Sequence, residues 1–144
     1  MALPATPAWL DWQPRILSIL RIVVGLLYLE HGLNKLFDFP PTPTHAPYHV
    51  ASLVPGLAGP LEAVGGLLVT LGLFARPAAF ILSEQMAIAY FLAHAPQNFF
   101  PLLHGGDAAI LYCFIFLYLT FAGAGPWSLD ALFSRGRSLR SSPA

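Results

Sequence analysis

The chain has 144 residues, of which 56% are hydrophobic and only 10% are charged, and its formal net charge is zero. Because a soluble domain typically carries about 25% charged residues, this composition excludes an ordinary soluble protein and predicts an integral membrane protein. The absence of a long basic cluster excludes nucleic-acid binding, and the single cysteine, Cys113, excludes a CxxC redox pair and a cysteine-ligated iron–sulfur cluster.

The N-terminal stretch contains two tryptophans, Trp9 and Trp12, which are typical anchors at a membrane interface. It lacks the charged region and the small-residue cleavage site of a signal peptide. We therefore expect the first apolar segment to be retained as a helix that starts at the membrane surface.

Four apolar segments follow, each about 20 residues long, which is the length that a helix needs to cross a bilayer. Stretches rich in proline, glycine and polar residues separate them, and the longest is a proline-rich outer loop at 37–56. No strand-like alternation appears. The sequence predicts an all-α membrane protein, a single domain over residues 1–144 folded as a four-transmembrane-helix bundle. The predicted helices cover 16–36, 57–75, 78–95 and 107–124.

Positive charge predicts the orientation of this bundle. The loops at 37–56 and 96–106 contain no lysine or arginine, whereas the arginines that flank the helices all fall on the opposite side. By the positive-inside rule both termini are cytoplasmic, in a bacterial-type inner or plasma membrane. The flanking arginines are Arg15, Arg76, Arg135, Arg137 and Arg140.

All five histidines lie in the outer half of the predicted bundle or in its outer loops, so polar chemistry is expected toward the outer leaflet. They show no HxH or HExxH spacing, and His45 and His49 lie in the proline-rich loop, where helical spacing is not assured. We therefore predict no metal site and interpret these residues as ordinary loop histidines. A two-haem site needs histidines at matched depth on facing helices, which only His31 and His94 approach. The fifth is His104.

Polar residues recur every seven positions along the first helix, at Arg21, Tyr28 and Lys35. Gly25 and Gly32 lie four residues after the first two of them, and His31 borders the same stripe. Residues at this spacing share one helix face. The pattern predicts a polar, small-residue face that receives a neighbouring helix closely.

Charges inside a membrane usually face the protein interior and pair with one another. Matching depth along the helices predicts two buried pairs, Arg21–Glu84 in the inner half and Lys35–Glu62 in the outer half. Two alternatives remain: such pairs can serve only to fix which helices meet, and Lys35 can extend to the interface by itself. The outer pair and the nearby histidines form a predicted polar pocket, whose candidate catalytic residues are Lys35, Glu62, His31 and His94.

The segment GAGPWSLD closes the fourth helix, because Gly125 and Pro126 disfavour its continuation. Ser128 is then well placed to N-cap a short interfacial helix over SLDALFSRGR. Trp127 is interpreted as an anchor at the cytoplasmic interface.

The ordered set of motifs resembles the DoxX/DoxD family of small membrane proteins, over residues 15–133. It comprises R-x6-Y-x2-H-G-x2-K in the first helix, E-x-x-G-G at Glu62–Gly66, MAIAYFLAH, and G-P-W-S-L-D at Gly125–Asp130. The resemblance implies a four-helix membrane protein. It also implies a link to quinone-dependent oxidoreduction, since a DoxD-type protein is a subunit of a thiosulfate:quinone oxidoreductase.

The function expected from these features is an integral subunit of a quinone-linked oxidoreductase in respiratory or sulfur metabolism. The outer pocket would bind a quinone or a small anion, with Lys35 as hydrogen-bond donor and a histidine or carboxylate as proton relay. No intrinsic cofactor other than quinone is expected; the partners are the bilayer and other subunits or copies of the chain. The alternatives are a structural or assembly subunit without chemistry, and a small solute or proton transporter. The candidate quinone slot is Tyr28, Phe91 and Asn98, and the aromatic fourth helix offers further rings that more often pack or face lipid.

Overall fold

The computed structural model describes residues 8–43, 52 and 56–140, and this part of the chain is helical without a strand. A short 3-10 turn, Ala8–Trp12, leads into the first helix, and a π-helical turn, Tyr90–His94, continues the third. The five α-helices in the described part of the chain are α1, Gln13–Phe37; α2, Ala58–Leu71; α3, Ala75–Ala89; α4, Gly106–Ala122; and α5, Leu129–Arg140.

The turn between α2 and α3 lies earlier than the predicted segments 57–75 and 78–95 place it. Gly72 adopts a left-handed conformation with φ of 66°, and its N–H donates to Val69 O at 3.1 Å. The N–H of Leu73 donates to Leu68 O at 3.0 Å, which completes a glycine-terminated helix end. The apolar run continues through this turn, so hydropathy alone does not mark it.

Helices α1 and α2 pack backbone to backbone through glycine. A Cβ atom on Gly32 would lie 2.2 Å from Ala63 N, and one on Gly66 would lie 2.6 Å from Leu29 N. No side chain fits at these distances, so the two helices approach closely only because glycine occupies both positions. The small-residue face predicted for the first helix is the face that contacts α2.

Helix α3 turns a different face inward from the predicted one. Its inner face consists of small and aliphatic side chains against α4, and Ser83 Oγ donates to Cys113 O at 2.9 Å. Glu84, which was predicted to pair with Arg21, is exposed, and Phe91 of the predicted quinone slot is 69% exposed; Phe80, on the same side, is 49% exposed. Alanine permits a closer helix approach than phenylalanine, which favours the small face at the contact. The buried residues of this face are Ala75, Ala78, Ala79, Leu82, Ser83 and Met86.

Only one helix in the described residues, Trp9–Phe37, is both long and apolar enough to cross a membrane, whereas Ala58–Leu71 and Gly106–Ala122 are apolar but shorter. The outward faces of the helices nevertheless carry large apolar side chains that are half or more exposed. Examples are Leu26 on α1, Val64 on α2, Ile88 on α3 and Phe114 on α4.

Arg21 joins three chain segments at one end of the bundle. Its guanidinium donates to Val69 O and Thr70 O at the end of α2, both at 2.5 Å, and to Ala124 O at 2.8 Å and Trp127 O at 2.6 Å. The predicted Arg21–Glu84 pair is therefore wrong. The cation bonds to carbonyls in the last turn of α2, which have no partner within the helix and carry partial negative charge, and to two carbonyls of the segment between α4 and α5.

The segment after α4 is fixed at the same end. Ser128 Oγ accepts the N–H of Ala131 at 3.2 Å, so the predicted N-cap of α5 is confirmed. Asp130 accepts the N–H groups of Phe74 and Ala75 at 2.9 and 3.0 Å, and thereby caps the start of α3. The motif GPWSLD thus serves to join the ends of helices.

Candidate functional site

A cavity of about 810 Å³ lies between the α1–α2 pair and the α3–α4 pair, toward the end of the bundle opposite Arg21. All four helices contribute to it, together with the π-helical turn and Gly105. Its walls are mainly leucine, isoleucine, alanine, methionine and phenylalanine. The polar or ionisable side chains among its lining residues are Tyr28, His31, Lys35, Glu62, Glu84, Gln85, His94 and Tyr112.

The predicted contact between Lys35 and Glu62 is present at this cavity. Lys35 Nζ lies 2.5 Å from each carboxylate oxygen of Glu62, and Gln85 Nε2 donates to Glu62 Oε1 at 3.0 Å. The Glu62 side chain is only 2% exposed, whereas that of Lys35 is 27% exposed. The carboxylate is therefore charge-balanced and fully engaged by groups from α1 and α3.

Two buried polar atoms beside this cluster have no hydrogen-bond partner among the residues that the structure describes: Tyr28 Oη and Gln85 Oε1. The ring of Tyr28 is 1% exposed; it contacts Phe116 edge-on, with ring centroids 4.9 Å apart, and the tilted ring of Tyr112 at 5.2 Å. Buried polar atoms are almost always paired in proteins. Two orphaned atoms on side chains that line one cavity indicate that a water or a ligand group completes the site.

The two histidines that line the cavity share one hydrogen-bonding pattern. His31 Nδ1 lies 2.7 Å from Leu27 O, and His94 Nδ1 lies 3.2 Å from His104 O. A carbonyl oxygen only accepts, so Nδ1 carries the proton in each ring. In the neutral imidazole, Nε2 is then left as a hydrogen-bond acceptor.

The three residues of the predicted quinone slot do not all line the cavity. Tyr28 lines the cavity, but Phe91 and Asn98 are exposed and do not line it. The main reason is the π-helical turn, in which Ala95 N donates to Tyr90 O at 2.8 Å. A π-helical turn contains more residues than an α-helical turn, so it changes the direction in which the side chains project from the helix axis. As a result His94 lines the cavity and Phe91 does not.

Sequence analysis missed two residues of the site, Gln85 and Tyr112. Gln85 follows Glu84 directly, and the predicted Arg21–Glu84 pair places Glu84 inward in its stead. A signal was available, because Gln85 continues the face of Leu82 at a spacing of three residues. Tyr112 was noted only as part of an aromatic helix; its ring contacts those of Tyr28 and His31.

The described residues contain no group of three or more His, Cys, Asp or Glu side chains arranged to hold a metal ion. The rings of His94 and His104 are 5.5 Å apart, but no third ligand accompanies them in this part of the chain. His45 and His49 lie outside the described residues.

Comparison with known proteins identifies the family. The DoxX family model matches residues 16–95, a range that includes the cluster residues Tyr28, Lys35, Glu62 and Gln85. An uncharacterized protein of Haemophilus influenzae is 44% identical over 85% of this chain and 93% of its own length. An uncharacterized membrane protein of Mycobacterium tuberculosis is 28% identical over 91% of each chain. No solved structure matches. The chain belongs to the DoxX family and is a membrane protein.

Proposed function

We propose that the chain is an integral membrane subunit of a quinone-linked oxidoreductase, and that its cavity holds the quinone headgroup. The observation that carries the proposal is the pair of orphaned atoms, Tyr28 Oη and Gln85 Oε1, beside the buried Glu62. Small-molecule sites are typically apolar cavities of about 300–1,000 Å³ with a few polar groups that fix orientation. The volume and lining of this cavity fit that description.

A bound quinone would supply a two-electron, two-proton acceptor, with the electrons coming from a partner subunit. In this proposal the chain provides the binding geometry. The Tyr28 hydroxyl donates a hydrogen bond to a carbonyl oxygen of the quinone. Tyr112 offers a flat aromatic surface, and the apolar walls keep bulk water away. The Lys35–Glu62 pair places one positive and one negative charge at the site, and these sum to zero.

We also propose that the quinone reaches the cavity from the lipid bilayer. Ile81, Ile88 and Leu92 of the third helix and its π-helical turn line the cavity and are also exposed on the outer surface, at 49%, 55% and 62%. An opening framed by apolar side chains suits a ligand with an isoprenoid tail. Such a ligand would enter from the bilayer rather than from water.

The corresponding topology places α1 to α4 across an inner or plasma membrane with both termini cytoplasmic. The turn between α2 and α3 bonds to Asp130 and the last turn of α2 bonds to Arg21, so Arg15, Arg76 and the start of α5 belong to one end of the bundle. That shared positive end supports the proposed orientation. Helix α2 is only about 21 Å long at 1.5 Å rise per residue, so local thinning of the bilayer is expected around it.

The test is quinone binding by the purified protein in lipid nanodiscs. We expect saturable binding of decylubiquinone, and a loss of about five- to tenfold in affinity for the variant Tyr28→Phe, which removes one hydrogen bond. The matched control is Tyr118→Phe, because Tyr118 is 56% exposed on the outward face of α4. Binding no stronger than that of empty nanodiscs would overturn the proposal.

The second candidate function is that of a structural subunit with no part in the reaction. The Lys35–Glu62 pair is consistent with it, because the pair joins helices. The pair joins α1 to α2 and, through Gln85, to α3, which is also what a purely architectural contact does. The double variant Lys35→Met, Glu62→Gln separates the candidates. Unchanged turnover of the parent complex would favour the structural role.

A further inference from the structure

The cavity presents an excess of hydrogen-bond acceptors. Gln85 Oε1 has no donor, and Glu84 has no hydrogen bond or ion pair among the described residues. His31 and His94 each use Nδ1–H on a backbone carbonyl. Each neutral ring therefore offers only the lone pair of Nε2.

The donors near the cavity are largely engaged. Lys35 Nζ contacts both oxygens of Glu62, and the side-chain amide N–H of Gln85 donates to the same carboxylate. The hydroxyls of Tyr28 and Tyr112 remain at the cavity, and a hydroxyl both donates and accepts. Because Gln85 Oε1 and the two Nε2 atoms only accept, a ligand that brings donors of its own satisfies more of the lining than one that brings none.

We propose that the cavity binds the reduced hydroquinone in preference to the quinone, with the Nε2 atoms of His31 and His94 accepting hydrogen bonds from its two hydroxyl groups. This inference rests on the proposed quinone site and names the form of the ligand that the site recognises. A quinone has two carbonyl oxygens and no donor, so its oxygens would face the lone pairs of the histidines. A hydroquinone of nearly the same shape has two O–H groups in the same positions.

The test compares three ligands of matched ring and tail on the wild-type protein in nanodiscs under anaerobic conditions. They are decylubiquinol, decylubiquinone, and the dimethyl ether of decylubiquinol, which keeps the oxygens but has no donor. We expect decylubiquinol to bind at least about tenfold more tightly than either of the others, because each donated hydrogen bond contributes several-fold in affinity. For a two-electron couple, that ratio raises the midpoint potential of the bound ligand by about 30 mV.

Variants of the histidines test whether these residues cause the preference for the hydroquinone. The double variant His31→Phe, His94→Phe is expected to bind decylubiquinol and decylubiquinone with affinities within about threefold of each other. The matched control is His104→Phe, because His104 lies beside His94 but does not line the cavity. This control is expected to keep the tenfold preference.

Each outcome is decisive. Quinone or ether that binds as tightly as the hydroquinone overturns this inference and leaves the proposed quinone site standing. Absence of binding by all three ligands overturns both proposals. Because the three-ligand comparison uses the wild-type protein, the inference stays testable even where the histidine variants fail to fold.

Discussion

Arg21 shows how one buried side chain can organise the end of a helical bundle. It is 1% exposed, and its donors reach carbonyls of α2 and of the segment after α4. The last carbonyls of a helix have no partner within the helix, and a cation near them is favourable. Five donors on a planar group can serve several such carbonyls at once, which an ammonium group cannot.

This arrangement predicts that Arg21→Met destabilises the protein by about 3–5 kcal/mol, since it leaves buried carbonyls without a donor. Arg21→Lys keeps the charge but concentrates its donors on one nitrogen, and should cost about 2 kcal/mol. The measurement is unfolding in detergent followed by tryptophan fluorescence. The control is Arg15→Met, because Arg15 is exposed and its guanidinium lies 5.0 Å from the Trp12 ring. Equal stability of Arg21→Met and Arg15→Met would contradict the assigned role.

At the scale of elements, the bundle consists of two closely packed helix pairs with a cavity between them. Glycine lets α1 and α2 approach at backbone distance, and the buried face of α3, which packs against α4, consists largely of alanine and other small side chains. The interface between the pairs contains larger side chains, and Gln85 of α3 donates to Glu62 of α2 across it. Close packing within the pairs and looser packing between them leaves space for a ligand.

Substitution of glycine distinguishes the helix contact from simple helix propensity. Gly32→Ala should destabilise the protein by about 2–4 kcal/mol, because the new Cβ would lie 2.2 Å from a backbone nitrogen of α2 and must separate the helices. Gly136→Ala in α5 should instead stabilise by about 0.5–1 kcal/mol, because nothing lies within 4 Å of its Cβ position and alanine favours a helix. Both variants are compared by the same unfolding measurement. A Gly32→Ala protein as stable as wild type would rule out the close α1–α2 contact.

At the scale of the whole molecule, the two ends of the bundle differ in character. One end collects the arginines and the helix caps, and the other carries the cavity with Lys35, Glu62 and two histidines. Large exposed apolar side chains surround the bundle between them. This distribution is what a membrane protein with one cytoplasmic face and a site in the opposite leaflet would have.

The proposed topology predicts the behaviour of reporter fusions. A fluorescent protein fused after residue 144 should be fluorescent, and alkaline phosphatase fused there should be inactive, because both would lie in the cytoplasm. Alkaline phosphatase inserted within the 37–56 loop should be active. Activity is measured in whole cells and normalised to the amount of fusion protein. An active phosphatase at the C-terminus would contradict the orientation.

The sequence by itself determined the properties that depend on local pattern. Low charge and high hydropathy imply a membrane protein, helix periodicity places Gly25 and Gly32 on one face, and the Ser128 cap follows from residue type. The family also follows from the order of short motifs. In the candidate site, the contact of Lys35 with Glu62 followed from matched depth along two helices.

Only the tertiary structure decided which groups those side chains meet. Arg21 bonds to helix-end carbonyls because three segments converge there, and no pairing rule between charged residues anticipates that. The small face of α3 turns inward, which brings Gln85 into contact with Glu62 and leaves Glu84 exposed at the cavity, and after one π-helical turn His94 lines the cavity whereas Phe91 does not. Helix rotation depends on the fit of two surfaces that are distant in sequence, so a single helix does not encode it.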